Sequence, residues 1–361
     1  MAIFQGLRRD LSVQTAKLIG KLPFRPKANE KKLSLLVVST TGYGDTLWTL
    51  PAIRKLRKMY PDAYIAGLGS ELSSQFFDPC AYFDDVFIFK NRSARSLLSW
   101  PKLIYQLHQK NFDRAYVMHV SDSSVISICL MAQIKKLYGV KGRVKGYESC
   151  FHSLVDLQPD SIETRMRTIH ANTYSQEEKN LFTPLFEKER KQVRQSLESI
   201  ASQKVKVALQ IDSRIAEKQW PFESFLRLAE KLLQERDVEL FFCAGPENKE
   251  ALIKAKEKLP AARISIDYAK SLRESVALLQ EMDCVVTNDT GPMHAALAGH
   301  VQTVALFAVT GLQSCCHYLQ KPYVHCLKKN SMEAITVEEV WNILRPLLQK
   351  KNLKSDCSKD L

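Results

Sequence analysis

Short apolar runs alternate with amphipathic segments twice over along this chain, and that alternation restricts its fold more than any other feature. In the first half "LSLLVVS", "AYIAGLG", "DVFIFK" and "FDRAYVMHV" are separated by helical patterns such as 46–59 and 97–110. A charged, strand-poor stretch follows, "YSQEEKNLFTPLFEKERKQVRQSLESIASQ". The second half repeats the scheme with "KVKVALQ", "VELFFCAG", "ARISI", "CVVTN" and "QTVALF", and with helical patterns near 222–235, 248–258, 271–281 and 292–299. Alternating β and α implies parallel sheets covered on both faces. The expected architecture is α/β, with two doubly wound domains at 33–180 and 181–345. A basic extension at 1–32 and a flexible basic tail at 346–361 flank them, and the 361 residues suit two domains.

Composition narrows the class. The 45% hydrophobic and 25% charged fractions are those of a soluble globular chain. No apolar run approaches the ~20 residues of a membrane-spanning helix. The opening "MAIFQGLRRDLSVQTAKLIGKLPF" lacks the apolar core and small-residue cleavage site of a secretory signal, so a cytoplasmic location is expected. None of the nine cysteines forms a C-x-x-C pair, and Cys315–Cys316 are adjacent, which suits neither a zinc site nor a redox centre. Cys129, Cys243 and Cys284 lie in apolar segments, where a reduced thiol behaves as a small hydrophobe.

Net charge is +13, concentrated at the ends: residues 1–32 carry +6 and residues 345–361 carry +3. Phe4, Leu7, Leu11 and Leu18 recur at helical spacing, with Arg8, Arg9 and Lys17 on other faces. Two readings stand side by side, a basic helix on an anionic membrane surface or a solvated helix packed on its own domain. Nucleic-acid binding is disfavoured, because no basic groove is interleaved with stacking aromatics.

Doubly wound sheets place ligands at the carboxyl ends of their strands. That rule selects the loops 39–46, 210–221 and 287–294. In the first, Gly42-Tyr43-Gly44-Asp45-Thr46-Leu47 begins like a dinucleotide fingerprint but has Leu47 where its last glycine belongs. It also lacks the Gly-Lys-Ser/Thr ending of a P-loop. Asp45 is either the cap of the following helix or a carboxylate held ionised by the helix dipole, able to take a proton from a hydroxyl. Pro51 either begins the regular helix or kinks it.

In "DCVVTNDTGPMHAALAGH" a strand ends in Asn288-Asp289-Thr290-Gly291, followed by Pro292 at a position suited to the first helical residue. Exposed amides at Thr290 and Gly291, with the helix dipole, make an anion site for a diphosphate. The Thr290 hydroxyl either caps the helix or binds phosphate, and His294 lies within the first turn. Capping alone accounts for Thr290 and Gly291. Asp289 would face the anion site and needs a polar partner.

With both loops in view the sequence resembles glycosyltransferase family 9, the ADP-heptose:lipopolysaccharide heptosyltransferases. The resemblance covers roughly residues 33 to 345 and rests on "GDTLWTLPAIRKLRKMYPDA", "AEKQWPFESFLRLAEKL", "SLRESVALLQEMDCVVTNDTGPMHAALAG" and "VALFAVT". It implies a GT-B fold, two Rossmann-like domains facing a central cleft. It implies that the Gly42–Gly44 loop lies on the acceptor side with Asp45 as the catalytic base. It assigns Lys218 of "EKQWP" to the diphosphate and Ser213 to a nearby hydroxyl position. Asp289, Thr290, Gly291 and His294 match the family's D-T-G-x-x-H and are implied to face the phosphates and the sugar. An acidic residue after "VELFFCAGPEN" addresses the nucleoside; Glu247 matches that position better than Asn248. Tyr43 departs from the family, which has small residues there.

The resemblance implies an inverting transfer of heptose from ADP-heptose to a lipid-linked lipopolysaccharide-core saccharide. The partners are thus a nucleotide-sugar donor and that acceptor, with no nucleic acid; an anionic membrane surface, the inner membrane face, joins them on the docking reading of the N-terminal segment. Chemically, Asp45 supplies a base, while Lys218 and the Thr290–Gly291 amides stabilise the leaving group. No D-x-D occurs in the sequence, so neither a metal nor another cofactor is expected. The rival readings are a relative using another nucleotide sugar, a GT-B-fold epimerase, and an inactive basic binding protein.

Overall fold

The computed structural model describes Gln14 and residues 32–90, 99–185, 187–198, 200, 204–309, 311–312 and 320–349. The stripe Phe4, Leu7, Leu11 and Leu18, the Cys315–Cys316 pair and residues 350–361 of the tail lie outside the described residues. The chain divides between Pro184 and Leu185 into two compact units.

The first unit runs β1 (Ser34–Thr40), α1 (Tyr43–Met59), β2 (Tyr64–Gly69), α2 (Ser74–Phe77), β3 (Asp85–Ile88), α3 (Trp100–Gln109), β4 (Arg114–Val120), α4 (Ser124–Met131), β5 (Lys136–Val140), β6 (Ser153–Val155) and α5 (Ser161–Thr168). Its strands pair in the order β3-β2-β1-β4-β5-β6, all in parallel. The second unit runs α6 (Glu187–Leu197), β7 (Val205–Gln210), α7 (Phe222–Leu233), β8 (Val238–Cys243), α8 (Lys249–Lys258), β9 (Arg263–Ile264), α9 (Leu272–Gln280), β10 (Cys284–Asn288), α10 (Gly291–Ala298), β11 (Gln302–Phe307), β12 (Val324–Lys328) and α11 (Val337–Leu348). Its order, β12-β11-β10-β7-β8-β9, is the same topology read from the other edge. In both sheets the winding reverses beside the first strand, between β1 and β4 and between β7 and β10. Such a switch point opens a crevice at the strands' carboxyl ends.

Burial explains the strands. All seven residues of β1, "SLLVVST", are buried, as expected of a central parallel strand covered on both faces. One face of the first sheet, with Leu36, Val38, Ala115 and Val117, packs on Leu103 and Leu107 of α3 and on Val125, Ile126 and Ile128 of α4. In the second unit the fully buried Trp220 packs edge-on against Phe225, with ring centroids 4.8 Å apart. Its indole Nε1 donates to the Ile335 carbonyl at 2.9 Å, so the apolar ring is buried without orphaning its N–H. Burying a side chain of that size contributes about 3 kcal/mol or more. Cys129 and Cys243 are buried as well, and desolvation pushes both thiols up to about 12.

Three strands beyond the expected runs complete the sheets: β5, β6 and β12. The charged stretch after the first sheet contributes a short turn, and then α6 opens the second unit. No described helix is long and apolar enough to cross a membrane.

Candidate active site

The helix α1 begins three residues earlier than the apolar period suggests, at Tyr43, with Gly42 as its N-cap and no side-chain cap bond. Asp45 is therefore the third helical residue and not the cap. A carboxylate in the first turn still gains from the helix dipole. Pro51 stands inside a helix that continues to Met59, so it does not begin the helix.

The Asp45 side chain is engaged elsewhere. Its Oδ1 accepts from His119 Nδ1–H at 3.0 Å and from Arg165 Nη2 at 3.1 Å. Both partners come from distant sequence, and each is aimed by a local device. In β4 the register against β1 shifts: Val38 pairs with Val117, but Ser39 pairs with His119, so Met118 is an extra residue. Strict alternation would point His119 with Val117 toward α3 and α4. The bulge turns it to the opposite face, where α1 lies.

Arg165 arrives on α5. That helix is capped by Asp160, whose carboxylate accepts from Ile162 N at 2.8 Å and Glu163 N at 3.3 Å. Arg165 is only 5% exposed, on the same buried side as Ile162 and Met166. Its Nε donates to Thr49 Oγ1 at 3.1 Å and its Nη1 to the Ser161 carbonyl at 2.8 Å, and its guanidinium lies 5.5 Å from the Trp48 ring centroid. Burial draws its pKa below the ordinary arginine value, and the Asp45 carboxylate opposes that shift. A guanidinium stays charged under such a pull. The result is a carboxylate fixed by two cationic or cation-capable donors, with its own helix supplying a third favourable field.

Serine hydroxyls fasten the surrounding loop. Ser73 Oγ donates to the Ser39 carbonyl at 2.8 Å, Ser121 Oγ to the Thr40 carbonyl at 2.7 Å and Ser70 Oγ to the Thr41 carbonyl at 3.0 Å. Tyr43 stacks on Phe76 at 5.7 Å between centroids, so the bulky residue has a seat in the apolar wall. Gly42 has open space where a Cβ would stand, and Gly44 is half-buried within α1.

In the second unit, Lys218 Nζ and Asp289 Oδ2 form an ion pair at 2.7 Å, with Asp289 only 7% exposed. This is the polar partner that Asp289 requires. The buried Asn288 aligns the loop that carries Lys218: its Oδ1 accepts from Trp220 N at 2.9 Å and its Nδ2 donates to the Asp212 carbonyl at 3.2 Å. Asp212 ties the β7 end to the β8 end by accepting from Gly245 N at 2.6 Å. Thr290 occupies the N-cap of α10 but makes no cap bond; its hydroxyl points to the Asn288 carbonyl at 3.4 Å. Gly291 takes the first helical position and Pro292 the second, one place later than the pattern suggests.

The remaining residues singled out in the sequence are placed less centrally. His294 is buried in α10. Ser213 closes a turn on Ile215, donating to its carbonyl at 2.8 Å. The exposed Glu247 folds its carboxylate over Gly245, where an added Cβ would come within 2.7 Å of Oε2. Among the described residues no group of three or more His, Cys, Asp or Glu is arranged to hold a metal ion.

A family model for glycosyltransferase family 9 (heptosyltransferase) matches residues 100–339. The chain belongs to glycosyltransferase family 9. It is a glycosyltransferase, and the family's two Rossmann-like units are the GT-B fold seen here. Among curated relatives it is 21% identical over 290 residues to the lipopolysaccharide core heptosyltransferase OpsX of Haemophilus influenzae, covering 78% of this chain and 81% of that one. Among solved structures it is similar to a family 9 glycosyltransferase from Veillonella parvula, with a TM-score of 0.76 at 17% identity over 89% of this chain and 99% of the other. E. coli ADP-heptose lps heptosyltransferase II gives a TM-score of 0.71 at 19% identity over 88% and 99%. The family match begins beyond Asp45. Sequence reading did not single out His119, Arg165, Asn288 or Asp212.

Proposed function

We propose that this family 9 enzyme transfers heptose from ADP-heptose to a lipid-linked lipopolysaccharide-core acceptor, with inversion and without a metal. The single observation that carries the reading is the Asp45 carboxylate, held by His119 and Arg165 in the first turn of α1 at the switch point of its sheet. A structural cap has no need of a buried guanidinium aimed at its side chain. The donor sugar follows from the named activities of the relatives, OpsX and heptosyltransferase II.

In this mechanism an acceptor hydroxyl gives its proton to Asp45 as its oxygen bonds to the anomeric carbon. The bond from that carbon to the diphosphate oxygen breaks at the same time, and ADP leaves. General-base assistance of this kind supplies about 10²–10⁴ in rate. Lys218 leaves Asp289 to neutralise the diphosphate, and the Gly291 amide with the α10 dipole adds to the stabilisation. Glu247 and Ser213 border the same strand ends and serve the nucleoside and phosphates. Of the two readings of the N-terminal segment, this function favours the one in which its +6 charge and its apolar positions Phe4, Leu7, Leu11 and Leu18 meet the anionic membrane that carries the acceptor.

The test is a donor screen scored by nucleotide release. ADP-heptose is expected to be consumed, with no loss in EDTA, whereas UDP-sugars are not. Turnover of a UDP-sugar alone would replace the donor assignment, and strict dependence on a divalent cation would overturn the metal-free mechanism.

A further inference from the structure

The helix α5, Ser161–Thr168, is about two turns long, too short to hold its own place, so what fastens it decides where Arg165 stands. Its N-cap is bound twice. Asp160 Oδ1 caps the helix, while Oδ2 accepts from Lys179 Nζ at 2.9 Å. Both members of this pair are buried, Asp160 at 4% exposure and Lys179 at 8%. Burial alone would lower the Lys179 pKa, but the hydrogen bond and charge of Asp160 outweigh it and raise the value, so the ammonium stays charged. A buried ion pair adds little net stability over apolar packing, and its attraction offsets desolvation only in close geometry. It is a strict spacer more than a source of stability. Arg165 stands little more than one turn from this cap.

The fastening also reaches the helix that carries Asp45. Lys179 ends a 3-10 turn, Glu177–Lys179. Arg54 of α1 donates through Nη2 to the carbonyl of Glu178 at 3.0 Å and to those of Glu177 and Asn180, both at 3.3 Å. Its guanidinium lies 5.1 Å from the Phe182 ring centroid. Lys55, the next residue of α1, donates to both carboxylate oxygens of Glu178 at 3.1 Å. Residues 177–182 therefore bridge α1 and α5 independently of the direct bonds from Arg165 to Asp45 and Thr49. They are also nearly the last of the first unit, which the chain leaves at Pro184.

We propose that residues 177–182 brace α1 against α5, with Lys179 and Asp160 as positioning residues that hold Arg165 on the Asp45 carboxylate. The effect on rate rests on the transfer reading above, whereas the placement of Arg165 belongs to the first unit itself. Released from Lys179, the start of α5 shifts, and a misplacement of about 1 Å at a catalytic group costs as much as about 10²-fold in rate.

The test uses the full chain and two readings. One is the titration of the Asp45 carboxyl carbon by NMR, assigned by its loss in Asp45→Asn. The other is kcat for nucleotide release from ADP-heptose with a lipopolysaccharide-core acceptor. K179M should raise the Asp45 midpoint by about one pH unit, because the Arg165 charge recedes while His119 remains. It should lower kcat about 10- to 100-fold and leave the ADP dissociation constant within about twofold. D160N, which keeps a capping oxygen but gives up the charge, should act alike, and K179R should restore most of both readings. An Asp45 midpoint unmoved in folded K179M and D160N overturns the brace, as does a lowered melting point with kcat kept. If K179M does not fold, the D160N/K179M variant, which leaves no buried charge alone, takes its place. A wild type that neither binds ADP nor releases it from ADP-heptose overturns the transferase assignment, and the Asp45 titration still decides the brace.

Discussion

The two halves of this protein share one topology and one location for their polar clusters, yet the clusters carry opposite charge logic. In the first unit a carboxylate, Asp45, is surrounded by His119, Arg165 and, one contact further out, Arg143. In the second a cation, Lys218, rests on the carboxylate of Asp289, and no acid occupies the first turn of α10. A sheet's winding order therefore decides where chemistry is placed but not which chemistry. On the proposed mechanism one half accepts a proton and the other holds departing phosphates.

The sharpest way to break the comparison is Asp45→Asn, which keeps the shape and removes the charge. Turnover should fall about 10³-fold while the donor dissociation constant stays within about twofold, read by nucleotide release and by calorimetry. Near-normal turnover with a lowered melting point would reduce Asp45 to a structural partner of Arg165. A smaller effect is expected across the comparison, at Lys218→Ala. Loss of a charged hydrogen bond to the diphosphate, together with the uncompensated Asp289, should raise the donor dissociation constant about 10- to 100-fold. An unchanged constant would leave the second cluster a purely structural ion pair.

The smallest effect concerns how the second half is pinned at its edge. Glu339 sits in a capping box with Thr336 at the start of α11, and Lys329, then the Thr336 amide and hydroxyl, pull its pKa down from 4.5 to about 2. A folded-state value below the unfolded one means that its contribution is present above pH 4.5 and is lost as pH falls toward 2. Glu339→Gln should flatten the acid limb of a denaturation series over that interval and leave stability near neutral pH slightly lower. An unaltered acid limb would show that the cap does not contribute.

The second cluster was legible in the sequence because its members fall in contiguous motifs: Lys218 just before Trp220 and Pro221, and Asp289 in the turn between a five-residue strand and its helix. The first was half legible. Asp45 lies in such a turn, but its partners break the rules by which sequence is read. His119 has the parity of a residue facing α3 and α4, and only the extra Met118 reverses it. Arg165 is a charge in a polar helix, "SIETRMRT", which reads as a solvated face, whereas packing on α1 buries it. The same limits explain the missed strands. β6 has three residues, too few to show a period, and β12, "VHCLK", mixes His, Cys and Lys at the sheet edge where only part of each side chain is covered.

Burial of the cysteines has a kinetic consequence. Cys129 lies in the first unit and Cys243 in the second, each almost without solvent contact and each with its thiol pushed up to about 12. An alkylating reagent attacks the thiolate, so neither sulfur reacts while its surroundings stay closed. The labelling rate of each then counts local openings of its own half, on one clock per unit within a single sample. Should a nucleotide sugar slow the clock at Cys243 and leave that at Cys129 running, donor binding would be steadying one sheet alone. If both slow together, the halves open as one cooperative body.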